Sequence, residues 1–554
     1  MFLRQLTVKK ADRSYTYLKV VESAWEAGRT VQKTLVNLGN VADWPRNRLR
    51  RLIEVLTSFI APEGLPKTCL SLSDVRVAAC QQLGPYLPLA ALWEQLGLDD
   101  ILARAWSNRK IDSAATDAVK AMVCTRLVTP CSKLAVWEMM AERVILPGLA
   151  IPPPLESYYR ALDYLCAAKS EIEQAVHQRV RHLFNQELSL VFYDLTSSYF
   201  EGTHCAKARH GYSREHRPDL LQIEIGLLVD AEGLPIGHEV FDGNVKDVAT
   251  VLGTLQRLQQ EFNIRRCVFV GDDGMASAAN LAEIAARGYE YITSVALGKS
   301  TVGQRCLREA PPPWRWSRVT DNLYLQPLGT VDGARYLGSY NPERAASARR
   351  HRRRHLRAII DGLRKLQAGP KPRGKKKTPA ETLRAADQLI RQCHCEQWIR
   401  LGQTAEGGLT WTLDRSALRQ TRRQDGVLVL QTNTTTLSDE EVAKGYRTLW
   451  RVEDAFRHLK DGLRLRPIRH WNDTRVLGHV FVCVLAYLLE RLYERALEQA
   501  DLGVTARAAL EELSAIQVAT LTTNDCAIRR RTELTARHSQ LLAAAGVTKV
   551  PELW

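Results

Sequence analysis

Three acidic residues stand where a carboxylate could do chemistry. Asp194 follows the apolar run Leu188–Tyr193 and opens the polar segment Asp194-Leu195-Thr196-Ser197-Ser198. Asp272 follows a second apolar run and precedes a helix-like stretch, within Val270-Gly271-Asp272-Asp273-Gly274. Carboxylates at strand ends sit where sites of α/β sheets form, although either one alone is as readily a turn or capping aspartate. Asp272 and Asp273 cannot both face one way from an extended backbone, so one of them can turn toward the first acid. Glu453 lies seven residues from both Tyr446 and Lys460. On a single helix that spacing makes one stripe drifting about 20° per step. The same glutamate with Arg457 is also an ordinary i,i+4 surface pair.

Taken together, the three acids form a hard oxygen donor set without nearby histidine or cysteine, which selects Mg²⁺, with Mn²⁺ as a substitute, over zinc. Two such ions about 4 Å apart can serve the attacking and leaving oxygens of an in-line phosphodiester displacement. The acids are 78 and 181 residues apart, so folding must bring them together.

The elements around them read as follows. Residues 1–45 hold three short strands, Leu3–Val8, Tyr15–Val21 and Thr30–Leu38. Residues 46–187 carry apolar spacings of three and four and read as helices, among them Ser113–Thr129, Lys133–Arg143 and Ser157–Gln186. From 188 to 296 the order is strand, hairpin (Leu221–Val229 with Leu234–Phe241), helix, strand, helix, strand, an α/β layer pattern with a mixed sheet. Residues 297–437 break that alternation and read as an inserted subdomain. A capping box at Ser438-Asp439-Glu440-Glu441 then starts a helix expected to run to Asp461-Gly462, and apolar helices fill 438–554.

Charge points to a polyanionic partner. The chain has 77 Lys+Arg against 61 Asp+Glu, a net +16, and each phosphate neutralised by such charge releases counterions. Glu343–Lys377 alone carries 14 Lys/Arg and two acids. It can be a nonspecific DNA track or a solvated helix with a linker. Twelve scattered cysteines without a CxxC pair fit a reducing cytosol. Cys393-His394-Cys395 lacks a second ligand pair at finger spacing and reads as a helix end. The N-terminus has no signal-like apolar region, and Val480–Leu489 is too short to span a bilayer. A cytoplasmic, nucleoid-associated protein with no membrane contact is expected.

The segment Phe192-Tyr193-Asp194-Leu195-Thr196, followed by His210-Gly211-Tyr212-Ser213, Arg217-Pro218-Asp219-Leu220 and Gly243-Asn244, resembles the first acidic motif of DDE insertion-sequence transposases. Gly271-Asp272-Asp273-Gly274-Met275 resembles their second, and Tyr446 to Lys460 resembles the Tyr-Arg-Glu-Lys signature around the third acid. The signature's arginine four before the glutamate is Leu449 here; Arg447 or Arg451 can supply that charge. The resemblance implies an RNase H-like α/β core, a mixed five-stranded sheet with flanking helices, interrupted by an insertion before the third acid. It assigns catalysis and metal binding to Asp194, Asp272 and Glu453, and DNA contact to Tyr446, Lys460, Arg447, Arg451 and Arg457.

It further implies two Mg²⁺ ions, with water cutting at the ends of the element and the freed 3′-OH attacking target DNA. Terminal inverted repeats and target duplex would be the partners. The N-terminal region 1–110, with the helical 46–187, would be the DNA-end-binding part. Two ends held together imply a homodimer on DNA. A nuclease of the same fold that never joins strands, and a noncatalytic DNA-binding regulator, are the rival readings.

Overall fold

The computed structural model describes residues 2–10, 13–26, 29–40, 75–107, 114–184, 190–202, 205–298, 300–368, 378–522 and 527–552. All of 46–74, within the expected DNA-end-binding region, lies outside them, as do 369–377 of the basic run. The chain forms two units, Met1–Ala78 with Thr520–Ile528, and Ala79–Ala519 with Arg529–Trp554.

In the first unit, β1 (Phe2–Lys10), β2 (Arg13–Glu26) and β3 (Arg29–Asn40) form an antiparallel meander in the order β1-β2-β3. Alternation of Leu, Val, Thr and Tyr suits a pleated surface, and Leu18 and Val21 are buried among its described side chains. The three expected strands are all present, each longer than its apolar core.

β4 (Arg76–Gln82), which begins in the first unit, leads into six helices of the second: α1 (Tyr86–Leu96), α2 (Leu98–Ser107), α3 (Ala114–Val128), α4 (Lys133–Glu142), α5 (Leu155–Ala167) and α6 (Lys169–Phe184). The helix expected over 157–186 is two helices, because Ala168 leaves helical geometry at φ −108°, ψ 14°. The break lets Tyr158, Leu162 and Leu165 on one side and Ile172, Val176 and Val180 on the other all enter the core.

The central sheet begins with β5 (Leu190–Tyr199), β6 (Gln222–Asp230) and β7 (Pro235–Asp242), an antiparallel meander. Helix α7 (Asp247–Gln260) leads to β8 (Val268–Gly271), parallel to β5, and α8 (Ala278–Ala286) leads to β9 (Glu290–Ser294), parallel to β8. These are five adjacent strands, but the sheet is not five-stranded. Helix α9 (Thr301–Glu309) precedes β10 (Ser317–Thr320), β11 (Leu323–Val331) and β12 (Ala334–Tyr340). Then come α10 (Pro342–Gln367), α11 (Pro379–Gln392), β13 (Ile399–Gln403), β14 (Leu409–Leu413), α12 (Arg415–Gln424) and β15 (Val427–Thr432).

β15 pairs antiparallel with β9 and with β12, giving nine strands among the described residues in the order β10-β11-β12-β15-β9-β8-β5-β6-β7. An edge strand presents unpaired N–H and C=O groups, and the segment expected to stand apart uses those of β9 to continue the sheet. The rest of that segment has a small core of its own, with Ile359, Leu363, Ile390, Trp398 and Leu409. The basic run forms α10, whose Arg352 makes a buried bidentate pair with Asp425 at 2.6 and 2.5 Å, while Arg350, Arg353, Arg354 and Arg357 are exposed.

Helices α13 (Asp439–Arg447) and α14 (Trp450–Arg457) follow, then a wider π-turn at His458–Gly462. The last long helix, α15 (Asp473–Gln499), is long and apolar enough to cross a membrane by length and composition. The apolar stretch is therefore longer than Val480–Leu489 suggests. Yet 89% of its most apolar window is buried inside the protein, where it packs on α3 and α5. Helices Ala506–Leu513 and Ala536–Ala544 complete the unit.

Candidate active site

β5 does not end before Asp194. It runs on to Tyr199, because Thr196, Ser197 and Ser198, though polar, are buried and pair along β6 in register. What ends near Asp194 is the other ladder: β5 pairs with β8 only through Leu190↔Val268, Val191↔Phe269 and Phe192↔Val270. Two residues further along each strand stand Asp194 and Asp272. Side chains alternate with period two, so the register directs both carboxylates to one face just beyond the parallel pairing. A sheet opening of this kind is where α/β ligand sites form.

Local backbone bonds fix each acid. Asp194 Oδ1 accepts from the Leu195 N–H at 2.8 Å, and Asp272 Oδ1 accepts from the Gly274 N–H at 3.0 Å. A β-carbon on Gly274 would lie 3.1 Å from Asp247 Oδ2 and 3.2 Å from Asp272 Oδ1, so a larger residue would press on both carboxylates. Asp273 is exposed.

Glu453 is carried by α14, which packs over β5 and β6. Burial first, then the charges of Asp272 and Glu453, push the Asp194 carboxyl up to about 7. Burial, then Asp273 and Asp247, also raises Asp272. The three acids thus share one electrostatic field. Among the described residues, no three His, Cys, Asp or Glu side chains are gathered closely enough to hold a metal ion.

The stripe expected of Tyr446, Glu453 and Lys460 is not formed. Leu449 and Val452 donate to Tyr446 and Leu449 carbonyls three residues back, tightening the chain between α13 and α14, and the π-turn then loosens it. Turns of 3.0 and of more than 3.6 residues rotate side chains off a common line. Tyr446, half-buried beside Ser294, still feels Asp272, Asp273 and Glu453; burial above all raises its phenol to about 12. Lys460 instead is 11% exposed and sits 2.8 Å from Glu215, whose other oxygen is flanked by Arg466. Lys460 and Arg466 thus form ion pairs with one buried carboxylate. Arg451 lies over the Trp450 ring at 5.7 Å, Arg447 is exposed, and Arg457 pairs with Asp454 rather than Glu453.

Sequence reasoning missed the groups that brace the acids. Arg214 binds Glu224 at 2.6 Å and Asp247 at 2.9 Å and lowers the cost of charge on Asp194. Burial, partly offset by Arg214, still pushes Glu224 up to about 7. The signal was available: Glu224 is a carboxylate in the strand Gln-Ile-Glu-Ile-Gly-Leu-Leu-Val-Asp, which is buried throughout. A charge in such a strand needs a partner. Cys393 and Cys395 close the end of α11, Cys395 Sγ lying 3.2 Å from the Cys393 carbonyl.

A profile of the transposase DDE domain matches residues 185–489, which is more than half of the chain and spans all three acids. The chain belongs to the DDE transposase family, and it is a transposase. Residues 3–62 further match the N-terminal domain of IS1634 family transposases, which marks it as an insertion-sequence enzyme. No curated protein matches at a significant level. A solved piggyBac transposase synaptic complex with hairpin DNA aligns at a TM-score of 0.37 and 8% identity, over 78% of this chain and 79% of that one, a likeness too slight to carry an argument.

Proposed function

We propose that this transposase cuts DNA at the terminal inverted repeats of its element and joins the freed ends to target duplex, using Asp194, Asp272 and Glu453 to hold two Mg²⁺ ions. The observation that carries the reading is the pair Asp194 and Asp272, set level by the β5–β8 register on one face, with Glu453 adding its charge from α14. Repulsion that raises a buried carboxyl is relieved by a cation, and an all-oxygen donor set suits a hard one. A bound divalent cation would supply charge neutralisation and orientation at the scissile phosphate.

The strands β7-β6-β5-β8-β9 are then an RNase H-like core, and 297–437 is its insertion, grafted onto the β9 edge. The protein's own part is positioning. The Gly274 turn fixes Asp272, Arg214 with Glu224 and Asp247 braces the pocket floor, and Tyr446 lines its edge. Water adds to phosphorus and the P–O3′ bond breaks, leaving a 3′-OH that in turn adds to a target phosphate as its own P–O3′ bond breaks. Exposed Arg447 and Arg457, half-buried Arg451 and the outer face of α10 would hold DNA backbone. Lys460 must leave Glu215 to reach a phosphate. Two ends require two active sites, hence a homodimer on DNA in the cytoplasm.

The test is Glu453→Gln: it is expected to bind inverted-repeat ends like the parent yet lose Mg²⁺-dependent cleavage. Normal cleavage by this variant would remove Glu453 from the site.

A further inference from the structure

A second cluster of buried charge lies in the helical region, and it is entirely basic. Arg126, at the end of α3, is 6% exposed, and its Nε has no hydrogen-bond partner among the described residues. Lys133, the first residue of α4, is 4% exposed, and its Nζ lies 2.9 Å from His479 Nδ1. His479 Nε2 faces the Leu465 carbonyl at 3.2 Å. This fixes the neutral tautomer, with Nε2–H donating and Nδ1 accepting from the lysine. His470 packs against His479 at 5.4 Å and, with Cys131, is half-exposed where the cluster meets the surface.

Among the described residues, the leading influences on Lys133, His470 and His479 after burial are Arg126 and one another, with the Cys131 and Cys483 thiols beside Lys133 and Arg475 beside His470, and none is a carboxylate. The nearby Asp163 is engaged by Arg475 and Thr474. Burying cations without a counter-ion is costly. The cost is met when a ligand brings the negative charge.

We propose that Arg126, Lys133 and His470 form an oxyanion site that takes a backbone phosphate of bound DNA. The position is telling. The segment leading to His470 lies along the end of β5, with Ile468 N–H donating to Tyr199 at 3.1 Å and Glu201 N–H donating to Ile468 at 3.0 Å. Asp194 is five residues back from Tyr199 along that strand, about 17 Å, or about five base-pair rises. A duplex entering the acid pocket passes this cluster. That the phosphate is DNA's rests on the function proposed above; the oxyanion site itself does not.

The experiment uses the full chain and the variants Arg126→Met and Lys133→Met, in chloride buffer with and without millimolar inorganic phosphate. Phosphate is expected to raise the melting midpoint of the parent but of neither variant. Without phosphate, Arg126→Met should melt at or above the parent, since an uncompensated buried charge has been removed. Duplex affinity of Arg126→Met should fall, with a log–log salt slope shallower by about one. Equal stabilisation of all three proteins by phosphate, or an Arg126→Met variant that is unstable in its absence, overturns the site. Phosphate binding lost in the variant with an unchanged DNA salt slope overturns the DNA assignment. Failure of the parent to cleave DNA, with phosphate binding intact, counts against the proposed function and leaves the site standing.

Discussion

Two groups of buried carboxylates in this molecule behave in opposite ways. Between α6, β7 and α7, Glu173 is ringed by Lys169 at 2.9 Å, Arg257 at 2.6 Å and His238 at 2.7 Å, with Glu239 closing the network. Burial pushes Glu173 up, but these partners outweigh it and hold the carboxyl far below its usual range. In the sheet opening, Asp194 is raised by burial and by two acids, and the Leu195 N–H and the Arg214 guanidinium, which act the other way, do not outweigh them. A structural carboxylate is compensated by the protein; the acids of the opening are left for something else to compensate. The charges around each carboxylate, rather than residue type or burial, separate the two.

That contrast can be broken most severely at the opening. Asp194→Asn is expected to reduce DNA cleavage at least about a thousandfold, since an oriented charge at the reacting phosphate is worth several kcal/mol, as read by single-turnover assays. The same variant should be more stable than the parent without metal at pH 8. Asp194 titrates at about 7 when folded against an ordinary value of 3.8. The parent therefore holds its full stability below about pH 4 and loses some as pH rises toward 7, where the unfolded chain ionises and the folded one resists. The variant's melting curve should be flatter over that window, and an equal slope would show Asp194 to be unperturbed.

The opposite result is expected at the compensated group. Glu173→Gln leaves Arg257 and Lys169 buried without their anion and should cost about 3–5 kcal/mol, seen as a lower urea midpoint, with the cleavage rate of the remaining folded protein intact. The smallest effect belongs to Arg457→Ala. Its pair with Asp454 is at the surface, with the guanidinium 69% exposed, so stability should change by less than about 1 kcal/mol. A larger change in duplex affinity at low salt would mark Arg457 as a DNA contact.

Much of the core could be read from the sequence because its signals are local. Short apolar runs separated by turns and helical stretches marked β5 to β9, and the Ser438 capping box starts its helix as expected. Asp194 and Asp272 were legible as strand-end acids, although Asp194 lies within its strand, because polar Thr196, Ser197 and Ser198 read as loop while burial and β6 pairing keep them extended. The seven-residue stripe failed because it assumed one uniform helix where the chain tightens at Leu449 and loosens at His458. Sheet extension through β15, the Arg214 brace and the Lys460–Glu215 pair were hidden for a common reason: each joins residues far apart in the chain, and no periodicity records such partners.

The pairing of β15 with β9 carries a practical burden for anyone who would trim this protein. Excising 297–437 would not free a tidy minimal enzyme. It would bare a row of amide hydrogens and carbonyls on Glu290–Ser294, an invitation to stack edge to edge with a sister molecule. A shortened version would have to bring its own strand, or a lysine or proline on that rim, before it could stay in solution.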